Sequence, residues 1–364
     1  MNEIDLLKQV RDDVPPPTPI ALARARQRLL TQPPVRRRAT SRRRVLVAGV
    51  LAATLAAGFL VNDVVTRDGG TATPGAIADA STFLATAAKH TSANPDAPIP
   101  PGQYRQITQR SQGTWNFGPG NKFHGTTLDV TDWWVTADQN PPYTVISVLN
   151  AKKTFSSEAA RKLWNKTDPL NVNPETLKSR EACGVGMEGG SIALQRKGGK
   201  NICTPSLLNP SGDYLARLPR DPDALLAALR KQNPMLRFPH LDPKVANARL
   251  FDSMITILAS GIAPADLRAA LYEAARQIPG IQLQADAVNL DGKSGRAISL
   301  VEQFGIRKEL IIDSQTGLFL GLREVATITA PRNGDGDPMP MKRGDIVSWT
   351  SVSTRIVPTR PTVH

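Results

Sequence analysis

From Val45 to Val61 the chain runs for 17 residues without a charge and with nothing more polar than Thr54. Counted on to Val65 the run has 21 residues and takes in Asn62 and Asp63 near its far end. At ~1.5 Å per residue it spans ~31 Å, about one bilayer hydrocarbon core. A soluble core helix of that length carries a polar stripe, and this one has none. The pattern predicts a transmembrane helix over Val45 to Val65.

On either side the pattern changes. In the first 44 residues "EIDLLKQV" places Ile4, Leu7 and Val10 on one helical face, and "PPPTP" then breaks the chain. Thr18 and Pro19 open a second short helix, "IALARARQRLL", with Ile20, Leu22, Leu29 and Leu30 apolar and Arg24, Arg26 and Arg28 not. Two such helices cannot form a stable core by themselves; they suit a membrane surface or a partner's groove.

Beyond the apolar run, residues 66–102 read as a linker, "TRDGGTATPG", and an Ala-rich helix from Thr73-Pro74 to about His90, with Ile77, Leu84 and Ala88 inward. A first strand is expected near Gln103 to Arg110, and residues 128–149 are strongly β-prone around the turn at Pro141-Pro142. Residues 156–212 are polar, Gly-rich and give no clear period. Three helices follow. Asp221 caps the first, with Pro222 in its first turn and Leu225, Leu226 and Leu229 as its stripe; the others cover about Pro243 to Leu258 and Pro264 to Gln277. From "IPGIQLQADAV" onward the period is two, and Asp291-Gly292 and Gln315-Thr316-Gly317 supply the turns. The expected fold class is α+β: a transmembrane helix, then an antiparallel sheet covered by a few helices over residues 103–360.

Charge sets the orientation. Arg36, Arg37, Arg38, Arg42, Arg43 and Arg44 crowd the near end of the apolar run, against Asp63 and Arg67 at the far end. The positive-inside rule then puts the N-terminus in the cytoplasm and residues 66–364 outside. Net charge is +13, but +7 of it sits in the first 44 residues. The outer part carries 34 basic and 27 acidic residues, too mild a balance for a nucleic-acid surface and compatible with acidic wall polymers. The arginines themselves suit anionic headgroups, at roughly 1 kcal/mol each near the surface. A rival reading is a cleaved twin-arginine signal, from "TSRRRVLV" with Ala76-Ile77-Ala78 as the cleavage site; that site lies 15 residues past the run, behind a 44-residue leader.

Candidate chemistry adds little. The two cysteines, Cys183 and Cys203, both fall outside under this topology, and an oxidising compartment favours a disulfide over two buried thiols. "NGDGDP" sets Asn333, Asp335 and Asp337 at alternate positions, but Gly344 stands where a calcium loop needs its glutamate, so a plain hairpin loop is expected. His90, His124, His240 and His364 are scattered, and Ser294 sits in a turn, not a nucleophile elbow. No catalytic, metal or cofactor residues are assigned, and no enzyme is expected. Trp115, Phe117, Phe123, Trp133, Trp134 and Tyr143 form a dense aromatic group in a chain only 5% aromatic. Trp133 and Trp134 are consecutive in a strand, so one is expected in the core and the other exposed as a ligand or partner surface.

The tail "DLLKQVRDDVPPPTPIALARARQRLL", the Arg-flanked apolar run, "LPRDPDALLAALR", "LRAALYEAARQIPGIQL" and "KELIIDSQTGLFLGLREV" carry an end-to-end resemblance. With them the chain resembles an actinobacterial family of single-pass membrane proteins encoded beside extracytoplasmic-function sigma factors. The last stretch also looks like the closing strands of the lipoprotein-carrier and sigma-regulator half-barrel fold. The resemblance implies a sigma-factor-associated regulator or envelope sensor, with residues 1–44 as the cytoplasmic binding element. The tail lacks the histidine and cysteines of zinc-type anti-sigma domains, so binding would fall to bare amphipathic helices, with Leu29 and Leu30 among the anchors. The alternative is an anchored module that binds lipid or wall polymer outside and does no signalling.

Overall fold

The computed structural model describes residues 74–167, 175–176, 179–185, 195–197, 200–202, 205–238, 240–332 and 338–362. The chain divides into two compact units, Met1–Val65 and Thr66–His364. The first lies wholly outside the described residues, and with it the transmembrane expectation over Val45 to Val65, the six arginines and the tail anchors Leu29 and Leu30. Among the described residues no helix is long and apolar enough to cross a membrane.

The second unit is α+β, as the change of period predicts. Helix α1 (Pro74–Ala93) leads to three long strands, β1 (Tyr104–Phe117), β2 (Phe123–Val135) and β3 (Tyr143–Phe155). Helix α2 (Glu158–Thr167) and short strands β4 (Glu175–Thr176), β5 (Arg180–Ala182), β6 (Gln195–Lys197) and β7 (Lys200–Ile202) follow. Then come helices α3 (Gly212–Ala216), α4 (Pro222–Gln232), α5 (Pro243–Ala259) and α6 (Ala265–Ala275). A meander closes the chain: β8 (Gln282–Val288), β9 (Ser294–Val301), β10 (Ile306–Ile312), β11 (Phe319–Ala326) and β12 (Ile346–Val357).

One antiparallel sheet collects all strands except the β6–β7 pair, in the order β4-β3-β2-β1-β12-β11-β10-β9-β8, with β5 also on β3. Two meanders therefore meet where the first long strand pairs with the last, Tyr104 opposite Val357 through to Gly113 opposite Ser348. Alternation decides which residues turn inward. Ile298, Leu310, Ile312 and Leu322 face the helices, and Leu84, Ile107, Trp133, Phe251, Met254 and Tyr272 complete that core. Ala287, Ala297, Ile311 and Leu320 form a small second cluster. Helix α1 belongs to the same body: Leu84 and Ala88 are buried as expected, and Ala80, Phe83 and Ala87 join them.

Local sequence explains the ends. Asp221 accepts from the Ala224 N–H at the start of α4, and Asp242 does the same for Lys244 at the start of α5. In the β8–β9 turn Asn289 Oδ1 accepts from the N–H groups of Asp291 and Lys293, with Gly292 at φ 78°. In the β10–β11 turn Asp313 accepts from Gln315 and Thr316. Gly317 there has φ 71°, and a Cβ on it would lie 2.0 Å from Thr91 Oγ1, so only glycine lets the turn press against α1. Its carbonyl accepts from Thr91 and from the buried Tyr272 hydroxyl at 2.8 Å.

The differences from expectation are of extent. Helix α1 continues three residues past His90, and β1 seven past Arg110, because Ser111 to Phe117 keep pairing with β2. Cys183 is buried, and among the described residues no cysteine is free. Cys203 and the loop Asn333 to Asp337 lie outside the described residues.

Candidate functional site: a cleft beside two buried arginines

The aromatic group singled out in the sequence does not form one surface. Trp133 is 2% exposed in the main core, and Trp134 is on the opposite face of β2. The expected alternation holds, but the expected exposure does not: Trp134 is 8% exposed. Its strand row is Gln106, Trp134 and Thr144, and the chain after β12 returns across that face, where Arg360 donates to Thr144 at 2.9 Å and stands over the Tyr104 ring. A segment more than two hundred residues away thus closes what the strand leaves open. Tyr143 is fully buried and donates its hydroxyl hydrogen to the Gln139 carbonyl.

Trp115, Phe117 and Phe123 gather instead at the far end of β1 and β2 with two residues that the sequence reading did not include, Phe155 and Trp164. Trp115 lies 4.2 Å from Trp164 and 4.7 Å from Phe117, centroid to centroid. Gly125, opposite Trp115 across the strands, makes room: a Cβ there would come within 2.6 Å of the indole. Lys153 places its ammonium 4.7 Å from the Trp164 ring centroid. The rings are half-buried against one another and α2, which makes this a satellite core under a helix, not an open platform.

Two buried arginines lie at the other end of the sheet. "TSANPDAPIPPG" ends α1 and carries Asp96 past the start of β1. Arg105 is in register with inward-facing Ile107, so alternation drives a guanidinium into the body; it is 7% exposed and donates from Nη2 to the Ala97 carbonyl at 2.9 Å. Arg268, in the first turns of α6, is 6% exposed. Its Nη1 donates to Asp96 Oδ2 and to the Ala263 carbonyl, each at 2.7 Å, while Nε and Nη2 are buried without a hydrogen-bond partner. Burial holds the Arg105 guanidinium below its usual range; the Asp96 charge offsets part of this, and the Arg268 charge adds to it.

A cleft of about 560 Å³ opens beside them, lined by Ser92, Asp96, Ile99, Arg105, Gln139 and the Pro264–Asp266 segment. Asp266 is already engaged: Arg220 Nε lies 2.7 Å from its Oδ2. Burial pushes the Asp266 carboxyl up, but the Arg220 hydrogen bond and charge outweigh it and leave the group below its usual range. No single motif marked this site, because its cations and acids come from three separate stretches. Compared with protein-family models, curated proteins and solved structures, the chain matches none of them.

Proposed function

We propose that the chain is a single-pass membrane protein, anchored by Val45 to Val65 with its N-terminus in the cytoplasm. Its outer α+β unit recognises a ligand or partner, and residues 1–44 act on a cytoplasmic regulator, an extracytoplasmic-function sigma factor being the partner that the resemblance implies. This is the role of an envelope sensor. The cluster Arg36 to Arg44 supports the orientation, and the +7 charge of the first 44 residues supports a tail held close to anionic lipid.

One observation favours this reading over a lipid carrier on a half-barrel. A carrier needs an accessible apolar face, and here that face of the sheet is occupied by α5 and α6, with Phe251, Met254 and Tyr272 at 2% exposure or less. Recognition then falls to the rim of the body, where the cleft beside Arg105 lies.

The test is co-purification from membranes of the full-length chain. A sigma factor recovered with the wild type and lost in a Leu29→Ser, Leu30→Ser variant supports the regulator reading. Loss instead on neutralising Arg24, Arg26 and Arg28 would place those helices on the lipid. Indifference to both sets would reduce the tail to an anchor leader.

A further inference from the structure

A buried guanidinium is costly unless its donors and its charge are met. Asp96 is committed to Arg268 at 2.7 Å, and among the described residues no carboxylate lies within ion-pair distance of Arg105. Arg105 nonetheless lines the cleft with its Nη2 donating to the Ala97 carbonyl, while Arg268 keeps two buried nitrogens unpaired. The first turn of α6 reaches the same cleft through Pro264 and Ala265, where Asp266 Oδ1 already accepts from the Leu267 N–H at 2.8 Å. Two cations against Asp96, with Asp266 neutralised by Arg220, leave about one positive charge in excess.

We propose that this cleft binds a small monoanionic carboxylate. Arg105 holds the anion, and the apolar body of the ligand lies against Pro95, Pro98 and Ile99. The proposal rests on reading the outer unit as a recognition domain and names the class of ligand that it takes. Size is suitable, since small-molecule sites run to roughly 300–1,000 Å³. Charge selects among anions: Asp96 and Asp266 stand in the wall, so a phosphate carrying about two negative charges would be repelled where one carboxylate is matched. The carboxylate can come from a free acid or from a peptide C-terminus, and both present the same planar acceptor to a guanidinium.

The experiment is calorimetric titration of the full-length chain in nanodiscs with butyrate, butanol, trialanine, trialanine amide and inorganic phosphate. Butyrate or trialanine should bind, and butanol and the amide should not. Butyrate stronger than trialanine identifies a free acid, and the reverse a peptide terminus. Arg105→Gln should weaken carboxylate binding at least tenfold. Ala137→Trp, a substitution at an exposed position of the cleft wall, should block it without touching the core and serves if the arginine variant does not fold. Failure of both carboxylates to bind, binding unchanged in both variants, or phosphate bound more tightly than butyrate would overturn the proposal. Sigma-factor capture that persists after such a failure leaves the sensor reading standing and removes only this ligand.

Discussion

Nη1 of Arg268 lies 2.7 Å from Oδ2 of Asp96, across 172 residues of sequence. The contact ties α6 to the segment between α1 and β1 and supplies the carboxylate that makes burial of Arg268 tolerable. Asp96→Asn should therefore destabilise the α+β unit by about 3 kcal/mol, the lower end for a broken buried pair because Asp96 keeps some exposure. Urea unfolding checks this. Asp96→Leu combined with Arg268→Met should recover much of the loss, whereas additive losses would show that the two side chains do not act as a pair.

Glu309, unlike Asp96, has no solvent exposure of its own. Arg307 Nη2 lies 2.7 Å from Oε1, and Arg323 Nε lies 2.6 Å from Oε2 across the β10–β11 register. Glu309→Ala leaves two guanidiniums on the sheet without their acid and should cost about 3–5 kcal/mol. A loss under 1 kcal/mol in denaturant titration would mean that the arginines turn out to solvent and the cluster is not structural.

How much of this was legible depended on sequence distance. The Asp221 cap, the Leu225, Leu226 and Leu229 stripe and the Asp291-Gly292 turn are local, and each is found where the pattern puts it. The burial of Trp134 was not legible, because Arg360 and its neighbours come from the far end of the chain. Trp164 was missed for a related reason. Its helix lies in a polar stretch with no clear period, and only the partner rings on β1 and β3 give it a face. Arg105 could have been suspected, since it stands at an inward position of an alternating strand. Arg268 and Asp96 could not have been matched to it without the fold.

Alkali should unfold the α+β unit steeply. Burial pushes the Tyr214 phenol up to about 12 and raises those of Tyr143 and Tyr272 as well. For Lys308 burial acts downward, but Asp252 at 2.5 Å, Glu324 and Glu302 together hold the ammonium above its usual range. All four groups keep their protons more tightly folded than unfolded, where their pKa values are ~10 to ~10.4. Their contribution is complete below about pH 10 and is lost as pH rises through the folded values. Ultraviolet titration should show most of the phenolate signal appearing together with loss of fold. Ionisation of all four tyrosines near pH 10 in a still-folded chain would contradict it.

The proposed bridge between Cys183 and Cys203 closes a loop that should contribute about 3 kcal/mol. Non-reducing peptide mapping of protein from its native membrane should recover the two cysteines in one linked peptide. Cys183→Ser should lower the unfolding midpoint without altering carboxylate binding. Two alkylated thiols in the native protein would remove the bridge, and with it one support for an oxidising compartment.

The proposed topology places the described body outside the membrane, with the arginine cluster inside. Paired reporters test that most directly: one enzyme active only outside the cytoplasm fused after Thr66, and one active only inside fused ahead of Met1, each followed through membrane fractionation. Both fusions should be active, each at full length and in the membrane fraction. A soluble product beginning near Asp79, or an outside reporter that stays silent after Thr66, would contradict it.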